Sequence, residues 1–492
     1  MEPTHIVDLE LGLKVQYCEL TDYDMPAGSV TIWRPLAHPD SVTPDDRPLA
    51  PQHERHVTVH EPGQRSDWIG ATFEVHAAYE PAAMRSALWL WHKRHETLRS
   101  TVRHEESAWR RLLITADALD VEPQDVGSFA SGAEVADRIQ GIFQHSISPH
   151  EWPHLLTATV VPRQMAFEPP RFQVVFGADH AVMDAYSLLL AVTELQQLYA
   201  HAVYGTEPTA EAVEMGSYVD FSALERSLSL RHRGGDTLRR WREFLGVGEP
   251  QFPPFPLGAP NGGGEPGRQR TLYGPLLSAE ETRRVQTAAR ARRHKMQTAV
   301  FCALAEAARR TTSSSTLKFV MPMHTRTAAY ERSIGWFVGL SPVTIPLDID
   351  PAFDGDRYGI LLARCAQALR HARDDAAIPF PVIEDRLGVR SNPRFVVSFV
   401  DLRFVPGADR FDAVRACALR RPVAASDEVH LWISRALSGL NVSARLSGDA
   451  GALAAFEGFL AETREVLLEL TAAPDSRVVA AGASDGLAGQ CA

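Results

Sequence analysis

Apolar and polar positions alternate along the chain in a way that separates short buried runs from stretches of helical spacing. The segment Trp68-Ile69-Gly70-Ala71-Thr72-Phe73-Glu74-Val75 predicts a strand, and residues 81–98 place Met84, Leu88, Trp91 and Leu98 on one helical face. Further strands are predicted at 112–115, 155–161 and 172–176. The last of these feeds directly into Gly177-Ala178-Asp179-His180 and then a helix over about 185–203. Residues 26–66 are rich in Pro, Asp and His without apolar periodicity, so residues 1–66 read as an extended or loop-rich N-terminal arm.

A second block of alternating elements comes after residues 246–268, where Phe252-Pro253-Pro254-Phe255-Pro256 and Gly262-Gly263-Gly264 deny regular backbone hydrogen bonding. Ser278 with Glu281 three residues on forms a capping-box start for a helix running to about 308, with a break near 294. Strands are predicted at 317–321, 336–345, 395–399, 429–433 and 440–444, and helices at 357–375 and 452–471. The reading is therefore α/β, in two lobes of mixed sheet and helix. A first lobe spans 67–245, a crossover linker 246–268, a second lobe 269–473 and a flexible tail 474–492. A length of 492 residues supports the division, because one hydrophobic core rarely grows that large.

Composition narrows the function more than the fold. With 45% hydrophobic and 23% charged residues the chain has enough apolar surface to bury. A formal net charge of −11 argues against nucleic acid as the main partner, since phosphate binding needs a basic face. Cys18, Cys302, Cys365, Cys417 and Cys491 are scattered singly without a C-x-x-C pair, which points to a reducing, cytoplasmic setting. The start of the chain lacks the features of a secretory signal, and no apolar run reaches membrane-spanning length. No G-x-S-x-G elbow, phosphate-binding loop or dinucleotide fingerprint occurs, and His92-Lys93-Arg94-His95-Glu96 lacks the order of a zinc helix.

The candidate chemistry lies in His180-Ala181-Val182-Met183-Asp184. Spacing alone does not select it, because His232/Asp236 and His371/Asp375 repeat H-x-x-x-D elsewhere. Only His180 comes after an apolar strand and before an apolar helix, an arrangement that puts its side chain on a tight turn at the interior end of a sheet. Taken alone, this segment also fits a structural histidine with Asp184 as a helix N-cap.

Resemblance to a family changes the weighing. The segment Ala178–Ser187 resembles the active-site motif of the condensation-domain superfamily, which includes chloramphenicol acetyltransferase, peptide-synthetase condensation domains and polyketide-associated acyltransferases. Arg94-His95-Glu96-Thr97-Leu98-Arg99, Trp241-Arg242-Glu243-Phe244-Leu245 and Ile334-Gly335-Trp336-Phe337-Val338-Gly339-Leu340 resemble further signatures of that superfamily in the same order. Gly216-Ser217-Tyr218-Val219-Asp220-Phe221 and residues 252–258 are similar to the polyketide-associated branch, which mostly acylates hydroxyls. Three positions depart from the usual pattern. Asp179 replaces the first His, Ala185 the terminal Gly, and Gly339 the Asn of the second-lobe strand.

The resemblance implies two chloramphenicol-acetyltransferase-like lobes in a V, a tunnel between them, and His180 as general base on an acceptor that attacks a thioester. A base near neutral pKa contributes roughly 10²–10⁴ in rate. It further implies that Asp184 turns from the substrate to pair with Arg326. Backbone N–H groups near Ala185 and the hydroxyl of Ser341 are candidate oxyanion donors. No metal or bound cofactor is expected. Acyl-phosphopantetheine, on an acyl or peptidyl carrier protein or coenzyme A, is the donor, and a hydroxyl or an amine is the acceptor. An arginine cluster such as Arg283, Arg284, Arg290, Arg292 and Arg293 would suit an acidic carrier protein. The rival readings are an amide-forming peptide-synthetase condensation enzyme and an inactive recruitment module.

Overall fold

Two mixed sheets carry the architecture of the computed structural model, which describes residues 17–61, 68–163, 168–206, 215–231, 234–246, 248–257, 268–349, 356–389, 391–422 and 427–472. Among the described residues, one sheet has seven strands in the order Tyr17–Glu19, Cys417–Arg420, Ile69–Val75, Phe172–Ala178, Leu155–Pro162, Gly28–Ala37 and Leu119–Phe129. A six-stranded sheet runs Gln269–Ser278, Gly439–Ser447, Val429–Ala436, Phe395–Asp401, Thr316–His324 and Val338–Pro346. A small third sheet joins Val42–Asp45, Ala108–Ile114 and Ser100–Glu105.

The strand Phe172–Ala178 is buried at every position, and its apolar run, interrupted only by the buried Gln173, reflects cover on both faces. Phe172, Val174, Phe176 and Ala178 pack into the core that includes the helices Pro81–Arg94 and Ala185–Tyr204. Val175 points the other way, into the core with Phe143 of the helix Gly132–Ser146, which opens on a Ser131/Glu134 capping box. Ala178 pairs with Ile69 on one side and Leu155 on the other, so the strand ends with neighbours on both sides. The turn that leaves Ala178 is thus held at the interior end of the sheet.

In the second half the Ser278/Glu281 capping box forms, and the expected helix is two helices, Ala279–Ala291 and Met296–Thr311. The break lies at Arg293, whose φ of +59° reverses the chain. Helices Arg357–Asp375 and Ala450–Glu469 and the five predicted strands of this half are also present, with small shifts of their ends.

Three expectations are corrected. Residues 28–37, placed in a loop-rich arm, form a ten-residue strand; Val30 and Ile32 enter one core and Trp33 the other, so no simple alternation marks it. Residues 51–59 of the same arm form a helix, Pro51–Val59, whose buried positions include His53, a polar residue that hides the periodicity. Cys417–Arg420, assigned by position to the second lobe, instead pairs with Ile69–Thr72 in the first sheet. This strand brings Cys417 beside Cys18, with thiol sulfurs 2.8 Å apart, so two of the scattered cysteines are neighbours. In the linker, Phe252 packs on Trp241 and Phe380, and Phe255 on Phe395, Phe456 and Phe459. Its Gly262–Gly264 stretch, the tail at 474–492 and His232 lie outside the described residues.

Candidate active site

Asp184 ends the turn after Phe172–Ala178 and caps the helix Ala185–Tyr204, accepting from the backbone N–H of Ser187 at 2.7 Å. Its two oxygens also take a bidentate pair from Arg326, Nη1 at 2.7 Å and Nη2 at 2.9 Å, and the backbone N–H of Phe337 at 2.9 Å. The carboxylate is fully buried and Arg326 nearly so. Burial alone would raise the Asp184 pKa, but the Arg326 charge and the donated hydrogen bonds outweigh it and hold the carboxyl below its ordinary value. Asp184 is therefore an ionised anchor with its acceptor capacity filled by Ser187, Arg326 and Phe337.

Arg326 reaches this point because the chain after Thr316–His324 loops back, with Thr325 donating to the Phe337 carbonyl at 2.9 Å. The guanidinium also donates to the Ser187 hydroxyl at 2.7 Å and lies 4.3 Å from the Phe337 ring centroid. Ser187 in turn donates to the Gly335 carbonyl and accepts from the Gly335 N–H. Gly335 is required here because a Cβ would come within 2.4 Å of the Tyr218 ring. The first-half helix and the second-half loop are thus sewn together beneath the turn.

His180 stands above that seam. Ala181 through Asp184 are buried, whereas His180 keeps partial exposure. Its ring stacks on Trp336, with centroids 4.4 Å apart and planes 26° apart. Its Nδ1 is buried without a hydrogen-bond partner among the described residues. Burial, reinforced by nearby His56 and opposed by Asp184 and Asp179, lowers its pKa below the ordinary value. The imidazole is consequently neutral at neutral pH, the form a base requires.

The structure brings His180, Asp184, Arg326, Gly335 and Trp336 together. Asp179 lies at the same turn, accepting from the Ala181 N–H at 2.8 Å and meeting Nε2 of His56 at 2.9 Å. His56 was not singled out by sequence reasoning, because it sits in the segment read as an arm. Ala185 opens the helix and is not among the residues with positive φ, so the usual glycine is unnecessary. Gly339 occupies a spot where a Cβ would lie 2.1 Å from the Ala376 carbonyl oxygen, which excludes the usual Asn without a shift of backbone.

Neither oxyanion candidate is supported. The Ser341 hydroxyl is buried and donates to the Ala372 carbonyl at 2.5 Å, which commits its only proton. The helix start at Ala185 already holds the Asp184 carboxylate, so a second anion there would meet like charge. The repeated H-x-x-x-D at His371/Asp375 has another use, since Asp375 accepts from Arg240 and Thr237. Arg94 and His95 of the Arg94–Arg99 signature both reach Glu194, at 2.8 and 2.6 Å, and so hold the Ala185–Tyr204 helix. No group of three His, Cys, Asp or Glu among the described residues could hold a metal ion, and no described helix is long and apolar enough to cross a membrane.

The sequence model of the condensation domain matches residues 53–401, most of the chain and all of this site from His56 to Gly339. The chain belongs to the condensation-domain family. Among curated proteins, the 2'-acyl-2-O-sulfo-trehalose (hydroxy)phthioceranyltransferase PapA1 of Mycobacterium tuberculosis is 27% identical over 349 residues, 68% of this chain. The chain spans just under two thirds, 65%, of the length of that relative. The acyltransferase PapA3 of the same organism is 24% identical over 403 residues, 79% of this chain and 81% of its own. Among solved structures, a PapA2 acyl transferase superposes with a TM-score of 0.78 at 20% identity, covering 93% of this chain and 100% of that one. The X-domain from teicoplanin biosynthesis superposes with a TM-score of 0.65 at 17% identity, covering 88% and 96%. These structures share the fold of this chain, and the condensation-domain match within it runs from His53 and stops before Cys417–Arg420.

Proposed function

We propose that this condensation domain is an acyltransferase that moves an acyl group from a phosphopantetheine thioester, on a carrier protein or coenzyme A, to a hydroxyl acceptor. The two lobes would meet in a V, with donor and acceptor entering a tunnel between them from opposite faces. The observation that carries the reading is a neutral, partly exposed His180 on a turn whose other polar group, Asp184, is fully engaged with Arg326. Relatives named as acyltransferases support the reaction class.

Nδ1 of His180 is buried, which leaves Nε2 to take the proton of the acceptor hydroxyl as its oxygen attacks the thioester carbon. Collapse of the tetrahedral intermediate breaks the carbon–sulfur bond, and the imidazolium returns its proton to the departing thiolate. The products are an ester and a free thiol, and no metal or bound cofactor takes part. Asp184 and Arg326 keep the turn in place throughout. The relatives' names include acyl-sulfo-trehalose substrates, and a sugar hydroxyl is the first acceptor class to try.

The test is intact-mass spectrometry of acyl carrier proteins incubated with the purified chain and trial acceptors. Transfer that disappears in His180→Ala supports the reading. Transfer unchanged in that variant overturns His180 as the base, and carrier binding without any transfer by the parent chain overturns the reading in favour of a recruitment module. An amine acceptor consumed in place of every hydroxyl overturns the ester assignment alone.

A further inference from the structure

We propose that His56, from the helix Pro51–Val59, and Asp179 form a positioning pair that sets both the seat and the proton affinity of His180. The inference rests on His180 acting as the base. Its evidence is separate, and lies in how three elements converge on one turn. Asp179 stands immediately before His180, is fully buried, and spends one oxygen on two partners, the Ala181 N–H and Nε2 of His56. The first contact closes the turn that carries His180, and the second ties that turn to a helix more than 120 residues earlier in sequence.

The same His56 ring meets Trp336 edge-on, with centroids 5.4 Å apart and planes 89° apart. Trp336 then presents its face to His180. His56 is therefore braced against Asp179 and against the indole that stacks on His180, while the His60 ring packs on it with centroids 4.3 Å apart. Any tilt of His56 must move Trp336 or the turn, and either would reorient the His180 imidazole. This gives a purpose to the acidic residue where the family usually has His. A carboxylate at position 179 can accept from both the backbone and an imidazole.

The pair also sets the electrostatics of the base. Among the described residues, the charged and titratable groups around His180 are Asp179 and Asp184 on its own turn, Arg326 bound to Asp184 from the second half, and His56 from the Pro51–Val59 helix, while His53, His60 and His154 lie around the His56–Asp179 pair itself. Asp184 is paired with Arg326 at bonding distance, whereas Asp179 meets the His56 imidazole. Changing Asp179 removes a negative charge that favours the imidazolium of His180, and changing His56 removes a group that disfavours it.

Asp179→Asn and His56→Gln test this, because each keeps a hydrogen-bonding group of similar size. The measurement is the pH profile of kcat/KM for acyl transfer, with circular dichroism and the melting curve as controls. Asp179→Asn is expected to move the acid limb down and His56→Gln to move it up, each by about one pH unit or less, with native melting retained. A His56→Ala variant, which takes the imidazole away from the Asp179 oxygen, is expected to lower kcat about tenfold or more while KM changes little. Opposite shifts of the limb support the pair. Limbs that stay where the parent has them, in variants that fold, overturn it. His180→Ala in the same assay separates the two ideas: if that variant keeps full activity the base assignment fails, and if it is inactive while the limbs stay fixed only the positioning pair fails.

Discussion

The two halves of this condensation domain hold similar elements but divide the work at the site unequally. In the first, the strand Phe172–Ala178 runs into a turn bearing His180 and a capped helix. In the second, Thr316–His324 leads into a loop bearing Arg326, Gly335 and Trp336, all of which touch or support the first-half turn. One half offers the imidazole proposed as the base, and the other supplies a charge, a close backbone approach and an aromatic face. Reactivity and restraint are therefore separable by mutation.

The division predicts a graded set of outcomes. His180→Ala is expected to lower kcat by roughly 10²–10⁴ without changing the urea midpoint, because its ring is only partly buried and its Nδ1 bonds nothing described. A loss of stability as large as the loss of rate would refute the separation. Arg326→Met should do the reverse first. It strands a buried, ionised Asp184, a change that costs about 3–5 kcal/mol, readable as a lower urea midpoint. If the variant unfolds like the parent, the cross-half pair is not a restraint.

Acid acts on both halves, since each holds a histidine whose pKa burial pushes down to about 4: His92 in the first and His430 in the second. The unfolded chain binds these protons from about pH 6.5 downward while the native state refuses them. Stability is thus full above pH 6.5 and is lost as pH falls through about 4. The fully buried His92 accounts for about 3 kcal/mol of that loss, and His92→Gln should flatten the urea-derived stability profile between pH 6.5 and 4 by that order. The smallest expected effect belongs to Gly339→Asn, which restores the family's usual residue against the Ala376 carbonyl. Overpacking of this kind costs about 1–3 kcal/mol, and a thermal melt that stays put would show that the strand moves freely.

Much of the fold was legible in the chain. The strand-turn-helix around His180, the Ser278/Glu281 helix start and the helix Arg357–Asp375 each derive from local periodicity and capping, and each is present. The elements that escaped share a cause. Gly28–Ala37 is buried against two cores at once, and Pro51–Val59 buries a histidine, so neither shows the alternation that burial on one apolar face produces. Cys417–Arg420 is a four-residue strand whose partner lies far away in sequence, at Ile69–Thr72. At the site, Asp184 and Arg326 were expected together and meet, while Ser341, a candidate oxyanion donor, is bonded to Ala372.

Local events belong to the sequence: which runs are apolar, where helices start, and that one His-x-x-x-Asp sits between a strand and a helix. Tertiary packing settled what those residues face. Only the packed chain places His56 on Asp179, Trp336 on His180 and a carbonyl against Gly339. The reason is that hydrophobic period and capping act over a few residues, whereas these contacts join segments more than 100 residues apart in the first two cases. Such contacts form only when the whole core has brought their elements together.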